Sequence, residues 1–312
     1  MRKSIITLLS ILLMWLAIDR LGGQAIMWLF QHSCDITSPQ IRHLVNNVDE
    51  DVILLGTSRC NAHYVPSIIS DTLGMSVYNG GIDGSGSLYV QYMALCHILS
   101  HHTPKVVCLE VQRGFLENDD EALTTTSFFA PYFGRCPQAD SVFRMAGTYW
   151  PYKLSHLYRY NARVLPNITG LFVNRWTDED HGYVPKPPAP SIPILFTIAR
   201  DSDSALEERA CANENQKSYA ERFVNLCRNH DIFLVFTVSP ELTVINSDYY
   251  AQWQSIADRW QVPMLNYHSK QLFTDHPEYF HDNIHLWDRG ARTFSPVFAH
   301  DLKALYNSRH SQ

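Results

Sequence analysis

Four apolar residues in a row, Val52-Ile53-Leu54-Leu55, run directly into Gly56-Thr57-Ser58-Arg59, with no polar residue alternating among them. A strand that is apolar on both faces has to be covered on both faces, which points to a sheet held between layers of helix. The remainder of the chain supplies the elements such a sheet needs. The pattern predicts strands over 51–55, 77–78, 105–111, 232–238 and 264–266. It predicts helices over 64–73, near 87–101, 206–229 and 249–260, and a closing helix near 289–305. Strand and helix alternate, so parallel pairing is implied. The expected fold is a three-layer α/β/α domain over 45–308 with a mostly parallel five-stranded sheet.

Between 113 and 200 the periodic pattern gives way to aromatic and proline-rich sequence, including Phe128-Phe129-Ala130-Pro131-Tyr132-Phe133 and Val184-Pro185-Lys186-Pro187-Pro188. This reads as a long insertion. Its Trp150, Tyr152, Tyr158, Tyr160 and Trp176 have two readings, a lid that stacks on sugars or the aromatic mass any long loop needs in order to be buried.

The chain opens Met1-Arg2-Lys3 and continues as an apolar run from Ser4 to Ile18, closed by Asp19-Arg20. A positive end before a hydrophobic stretch is the pattern of export signals. The run is shorter than the roughly 20 residues of a spanning helix, but Leu21 and Ala25-Ile26-Met27-Trp28-Leu29-Phe30 extend it. The expectation is a single-pass signal anchor over 1–33 with the folded body outside the cytoplasm, in the periplasm or cell exterior. The rival is a cleaved, secreted form cut near Gly23-Gln24-Ala25.

The 312 residues carry a formal net charge of -6 without a long basic run, which excludes a dedicated nucleic-acid binder. The seven cysteines form no C-x-x-C pair, so they predict no metal cage, and Cys108 falls within a strand as a small buried hydrophobe. No cofactor is expected. His97, His101 and His102, at the end of the second helix, read as partners of its C-terminal dipole.

Ser58 follows the first predicted strand, where its hydroxyl can project at the sheet edge beside the free N–H groups of a helix start. Near the other end stands Asp282-Asn283-Ile284-His285. A serine needs a base to take its proton as it attacks, and a carboxylate three residues before a histidine lies one turn away, placed to fix the ring tautomer. Either motif alone is weak, since Gly-x-Ser turns are common. Together, in this order and at the ends of the first and last parts of an α/β domain, they predict Ser58 as nucleophile, His285 as general base and Asp282 as its orienter. The run Asn79-Gly80-Gly81-Ile82-Asp83-Gly84 adds glycines that let backbone N–H groups approach a ligand, and Gly84 joins the Ser58 N–H as expected oxyanion donor. These loops, with Gln112 after the third strand, fall at the carboxyl ends of the strands, where open α/β sheets bind ligands.

These blocks resemble the SGNH/GDSL hydrolase superfamily, especially its extracytoplasmic, N-terminally anchored members that act on carbohydrate acyl groups. Gly-Thr-Ser58 is similar to the family's Gly-Asp-Ser block, Gly84 to its second-block glycine, and Asp282-His285 to its terminal Asp-x-x-His. The resemblance implies ester hydrolysis or acyl transfer on O-acetylated carbohydrate. One departure stands out. The family's Gly-x-Asn-Asp after the third strand is here Glu110-Val111-Gln112-Arg113-Gly114, with Gln112 or Arg113 as the available substitutes for the asparagine donor. Arg59, Asn79 and Arg113 are the candidates for substrate contact, although Arg59 has the alternative of pairing with a surface acid. A non-catalytic relative that partners a membrane-bound O-acyltransferase or a polysaccharide export system is the alternative function. A third reading takes His281 and His285, four apart, as the pair of a zinc peptidase.

Overall fold

The computed structural model describes residues 2–116, 119–176, 180–189, 191, 213–242, 250–268 and 270–311. Five parallel strands form one sheet in the order 2-1-3-4-5: β1 (Val52–Leu55), β2 (Val77–Asn79), β3 (Val106–Glu110), β4 (Phe233–Val238) and β5 (Met264–Asn266). Between the strands run α3 (Ser58–His63), α4 (Pro66–Leu73) and α5 (Leu88–Ile98), preceded by α1 (Arg2–His32) and α2 (Thr37–Asn46). After β3 come α6 (Asp119–Thr125), α7 (Pro137–Met145), α8 (Tyr149–Leu154), α9 (His156–Tyr160) and α10 (Val164–Phe172). The chain returns through α11 (Glu214–Asn229), α12 (Ala251–Trp260), α13 (Gln271–Thr274) and α14 (Asp288–His310).

Successive strand residues feed two separate cores, which is why the strands show no polar alternation. Ile53, Leu55, Val107, Leu109 and Phe236 pack with Ile41, Leu95, Phe223 and Trp253 of α2, α5, α11 and α12. Val52, Leu54, Val106, Cys108 and Val235 pack with Ile69 of α4 and with Phe294, Phe298 and Leu302 of α14. The strand order reverses between β1 and β3, and a doubly wound sheet opens its crevice at the carboxyl ends of such a pair.

All five expected strands are present within one or two residues. The expected helix 64–73 starts only at Pro66, because Tyr64 and Val65 are extended ahead of it, as a residue before proline prefers, and the short helix α3 before it is not an expected element. α5 starts where Ser87 caps it by accepting the Tyr89 N–H. α2 occupies a stretch for which no element is expected. Residues 206–212 and 249 of two expected helices lie outside the described residues, as do 117–118, 177–179, 190 and 192–200 of the insertion.

The insertion is helical up to Phe172, and α9 and α10 pack on α1. Its aromatic residues stack mainly on one another, Tyr152 against Phe133, Phe143 and Tyr158. α1 is long and apolar enough to cross a membrane by length and composition. Six cysteines, all but Cys211, lie among the described residues, and these six are free thiols.

Candidate active site

β1 ends at Leu55, and the chain turns through Gly56 and Thr57 into α3, whose first residue is Ser58. The turn has to be tight: a Cβ on Gly56 would lie 2.8 Å from Cβ of Glu110 at the end of β3. The turn after β2 packs beneath α3 even more closely. A Cβ on Gly81 would sit 2.4 Å from the Asn61 nitrogen and 2.9 Å from the Thr57 oxygen, and the Ile82 N–H donates to the Gly56 carbonyl at 2.9 Å. Ser58 is therefore clamped between two strand ends, with its side chain only half buried.

His285 arrives from the far end of the chain. Phe280 and Leu286 form an antiparallel bridge, and the Asp282 carboxylate accepts the backbone N–H groups of Ile284 and His285 at 2.9 and 2.8 Å. The same carboxylate lies 2.8 Å from His285 Nδ1, and His285 Nε2 lies 2.8 Å from Ser58 Oγ. A carboxylate only accepts, so Nδ1 carries the proton and Nε2 is left to accept from the serine hydroxyl. Burial holds His285 below the usual histidine range, with Lys186 and Arg59 adding to it, although Asp282 pulls the other way. The imidazole is then neutral at neutral pH, as a base must be. Asp282 is held below its usual range despite partial burial, by the Ile284 N–H and the His285 ring.

Beneath this row lies a buried polar cluster. Arg59, 4% exposed, is ion-paired with Glu110 and with Glu241, each at 3.1 Å, and bonds Tyr250 and Ser239. Arg59 is therefore no substrate contact: both of its sides are spent on acids, and these are buried where the alternative expectation places the partner at the surface. Glu110, completely buried, accepts from the Tyr64 hydroxyl and from the backbone and hydroxyl of Ser239. Asn79 is corrected likewise. It is fully buried, donating to the carbonyls of Cys60 and Tyr64 and accepting from the Gly81 N–H, so it ties the β2 turn to α3 rather than reaching a ligand.

The Gln112 amide donates to the Thr57 hydroxyl next to Ser58. Gly84 lies on an exposed turn at φ 73°, which its missing Cβ permits. The Arg113 side chain lies outside the described residues. The zinc arrangement is not formed, because 281–285 is a turn and not a helix, and His281 Nδ1 lies 2.8 Å from the Pro187 carbonyl. Of the three histidines at the end of α5, only His101 serves a terminal carbonyl, that of His97. His97 itself is buried against Phe129, and burial lowers it to about 4, while His102 lies 2.8 Å from the Glu50 carbonyl.

Sequence reasoning missed His63. Its Nε2 accepts the Leu286 N–H at 2.9 Å, so its proton sits on Nδ1, which donates to Ser239 Oγ at 2.7 Å. Burial, then Arg59 and His285, hold it well below the ordinary value, hence neutral. Its only sequence signal is a histidine five residues after the candidate nucleophile, on the same short helix. Comparison with known proteins adds nothing to this geometry, since no protein-family model and no curated protein matches the chain.

Proposed function

We propose that this chain is a membrane-tethered serine hydrolase or acyltransferase of the SGNH type, acting on ester-linked acyl groups of carbohydrate outside the cytoplasm. The observation that carries the reading is the unbroken row from Asp282 through His285 to Ser58, with both links at 2.8 Å and the serine open to solvent. Ser58 Oγ attacks the ester carbonyl while its proton passes to His285 Nε2. The Ser58 N–H, unpaired within a helix first turn, and the Gly84 N–H hold the oxyanion. Collapse breaks the bond to the sugar oxygen, which leaves with the proton from His285, and an acyl-Ser58 remains. Water or a second hydroxyl, deprotonated by His285, resolves it. O-acetyl groups are the substrate class that the motif resemblance implies. The positive residues Arg2 and Lys3 at the start of α1 support an extracytoplasmic domain.

The test is hydrolysis of p-nitrophenyl acetate by the full chain in detergent, with fluorophosphonate labelling alongside. Ser58→Ala is expected to abolish both. Hydrolysis that survives the substitution overturns the serine mechanism.

A second reading has one observation in its favour. The run 110–114 at the end of β3 holds no asparagine, and the amide in its place, Gln112, is engaged by Thr57; loss of one oxyanion donor costs about 10² to 10³ in rate. If Ser58 takes no fluorophosphonate while the protein co-purifies with a membrane O-acyltransferase or an export complex, an assembly role replaces the enzymatic one.

A further inference from the structure

Two of the free thiols stand side by side. Cys96, in the last turn of α5, and Cys136, the residue just ahead of α7, belong to one core cluster and are each only 5% exposed. Cys136 Sγ lies 3.6 Å from the Cys96 carbonyl oxygen and 3.5 Å from Gln138 Oε1, and the two sulfurs are hydrogen-bonded, Cys96 donating. Cys60, by contrast, bonds the Asn79 side chain at 3.5 Å, and Cys108 and Cys227 sit among apolar residues of the two cores. α5 covers the sheet and α7 is the insertion helix packed against it, so the paired thiols lie on the seam between sheet domain and insertion.

The two sulfurs are not equivalent. The bond from Cys96, then the Ala139 and Gln138 N–H groups of the first turn of α7, outweigh burial and bring the Cys136 thiol down to about 6. Donation of that bond, together with burial, pushes the Cys96 thiol up. A thiolate at a helix start beside a protonated thiol is suited to thiol–disulfide exchange, in which one sulfur attacks an outside disulfide and the other resolves the mixed disulfide.

We propose that Cys96 and Cys136 form a disulfide outside the cytoplasm, fastening the insertion at α7 to α5. The bond rests on the extracytoplasmic placement of the domain proposed above, where disulfides persist, and not on the chemistry of Ser58. The oxidant is a disulfide R–S–S–R′ carried by a thiol oxidoreductase of that compartment, admitted when α7 opens from α5. The Cys136 thiolate attacks one of its sulfurs and R′–S⁻ leaves; the Cys96 sulfur then attacks Cys136 Sγ and R–S⁻ leaves. The chain gives up two electrons and two thiol protons, and the donor takes up both as two thiols. Sulfurs already in hydrogen-bond contact have a short approach to make to the roughly 2 Å of the new bond. The ring so closed, 96–136, contains Gln112 beside Thr57 and Phe128, whose Cζ would lie 4.0 Å from a Cβ on Gly84. It ties down the segment that carries both to the candidate site.

The redox state of the full chain in native membranes tests this. Free thiols are blocked with N-ethylmaleimide at lysis, the protein is digested with and without reduction, and peptides are identified by mass. A second sample of intact spheroplasts is treated with external protease to locate the domain. The expected result is a domain cut from outside and, in most chains, a peptide pair linked through Cys96 and Cys136 that separates on reduction; in Cys136→Ser the Cys96 peptide carries N-ethylmaleimide instead. N-ethylmaleimide on both cysteines of a domain that the protease cuts overturns the disulfide and leaves the placement standing. The same label on a domain that the protease cannot reach overturns both. A link from Cys96 or Cys136 to any other cysteine overturns the pairing.

Discussion

His63 joins the two ends of the Asp282–His285–Ser58 row: it stands on the helix that begins with Ser58 and grips the backbone one residue beyond His285. It is a positioning residue. For His63→Ala the expected outcome is a kcat lower by about 10²-fold with KM unchanged, the cost of a misplaced base, and partial recovery in His63→Gln, which keeps an acceptor. Steady-state ester kinetics separate this from general unfolding, which lowers active-site titre instead. The pH profile belongs to His285. Burial favours its neutral form, so the acidic limb of kcat/KM should have its midpoint below the ordinary 6.5. Activity rises with pH through that midpoint, because only the neutral ring accepts the Ser58 proton. Asp282→Asn removes the group that pulls the midpoint upward and fixes the tautomer; the rate should fall by on the order of 10⁴-fold and the midpoint should move lower still.

At the scale of elements, the site depends on how closely the β2 turn approaches α3. Gly81 is the point of contact, and the atoms its Cβ would meet are two backbone atoms, of Asn61 and Thr57, and the Cβ of Cys60, none of which can rotate away. Gly81→Ala should destabilise the fold by about 1–3 kcal/mol and displace Ser58. Urea denaturation together with fluorophosphonate labelling rate measures the two effects. A variant with wild-type stability and labelling would show that the turn tolerates a side chain. The same reasoning explains why Asn79 is buried: its amide closes the α3–β2 junction on three backbone groups, work that a water-filled site could not require of it.

Across the whole molecule, buried histidines set the acid limit of stability. His63, His97 and His285 all lie below the unfolded value of 6.5 because burial disfavours the charged ring, His97 at about 4. Between these values the unfolded chain binds more protons than the folded one, so stability falls as pH drops from 6.5 towards 4. His97 alone accounts for about 3 kcal/mol of that loss at 1.36 kcal/mol per pH unit. Denaturation midpoints across this window should fall in the wild type and flatten in His97→Phe. An equal slope in both would remove His97 from the account.

Strand and helix identity were legible along the chain because β1, β3 and β4 are apolar on both faces, a pattern that only a sheet covered twice satisfies. Ser58, Asp282 and His285 were legible for a local reason: a strand-ending serine and a carboxylate one turn before a histidine announce their chemistry in a few consecutive residues. The roles of Arg59, Asn79 and His63 were not, since each depends on which distant groups fold against it: Glu110 and Glu241 for the arginine, the Cys60 and Tyr64 carbonyls for the asparagine, Leu286 for the histidine. Nor did the sequence pattern tell the outward Leu165 and Phe172 of α10 from ordinary core residues, because an apolar residue does not say which way its helix turns. Local chemistry is written in neighbouring residues; the direction a face points, and whether a charge meets solvent or another charge, is decided by packing between segments hundreds of residues apart.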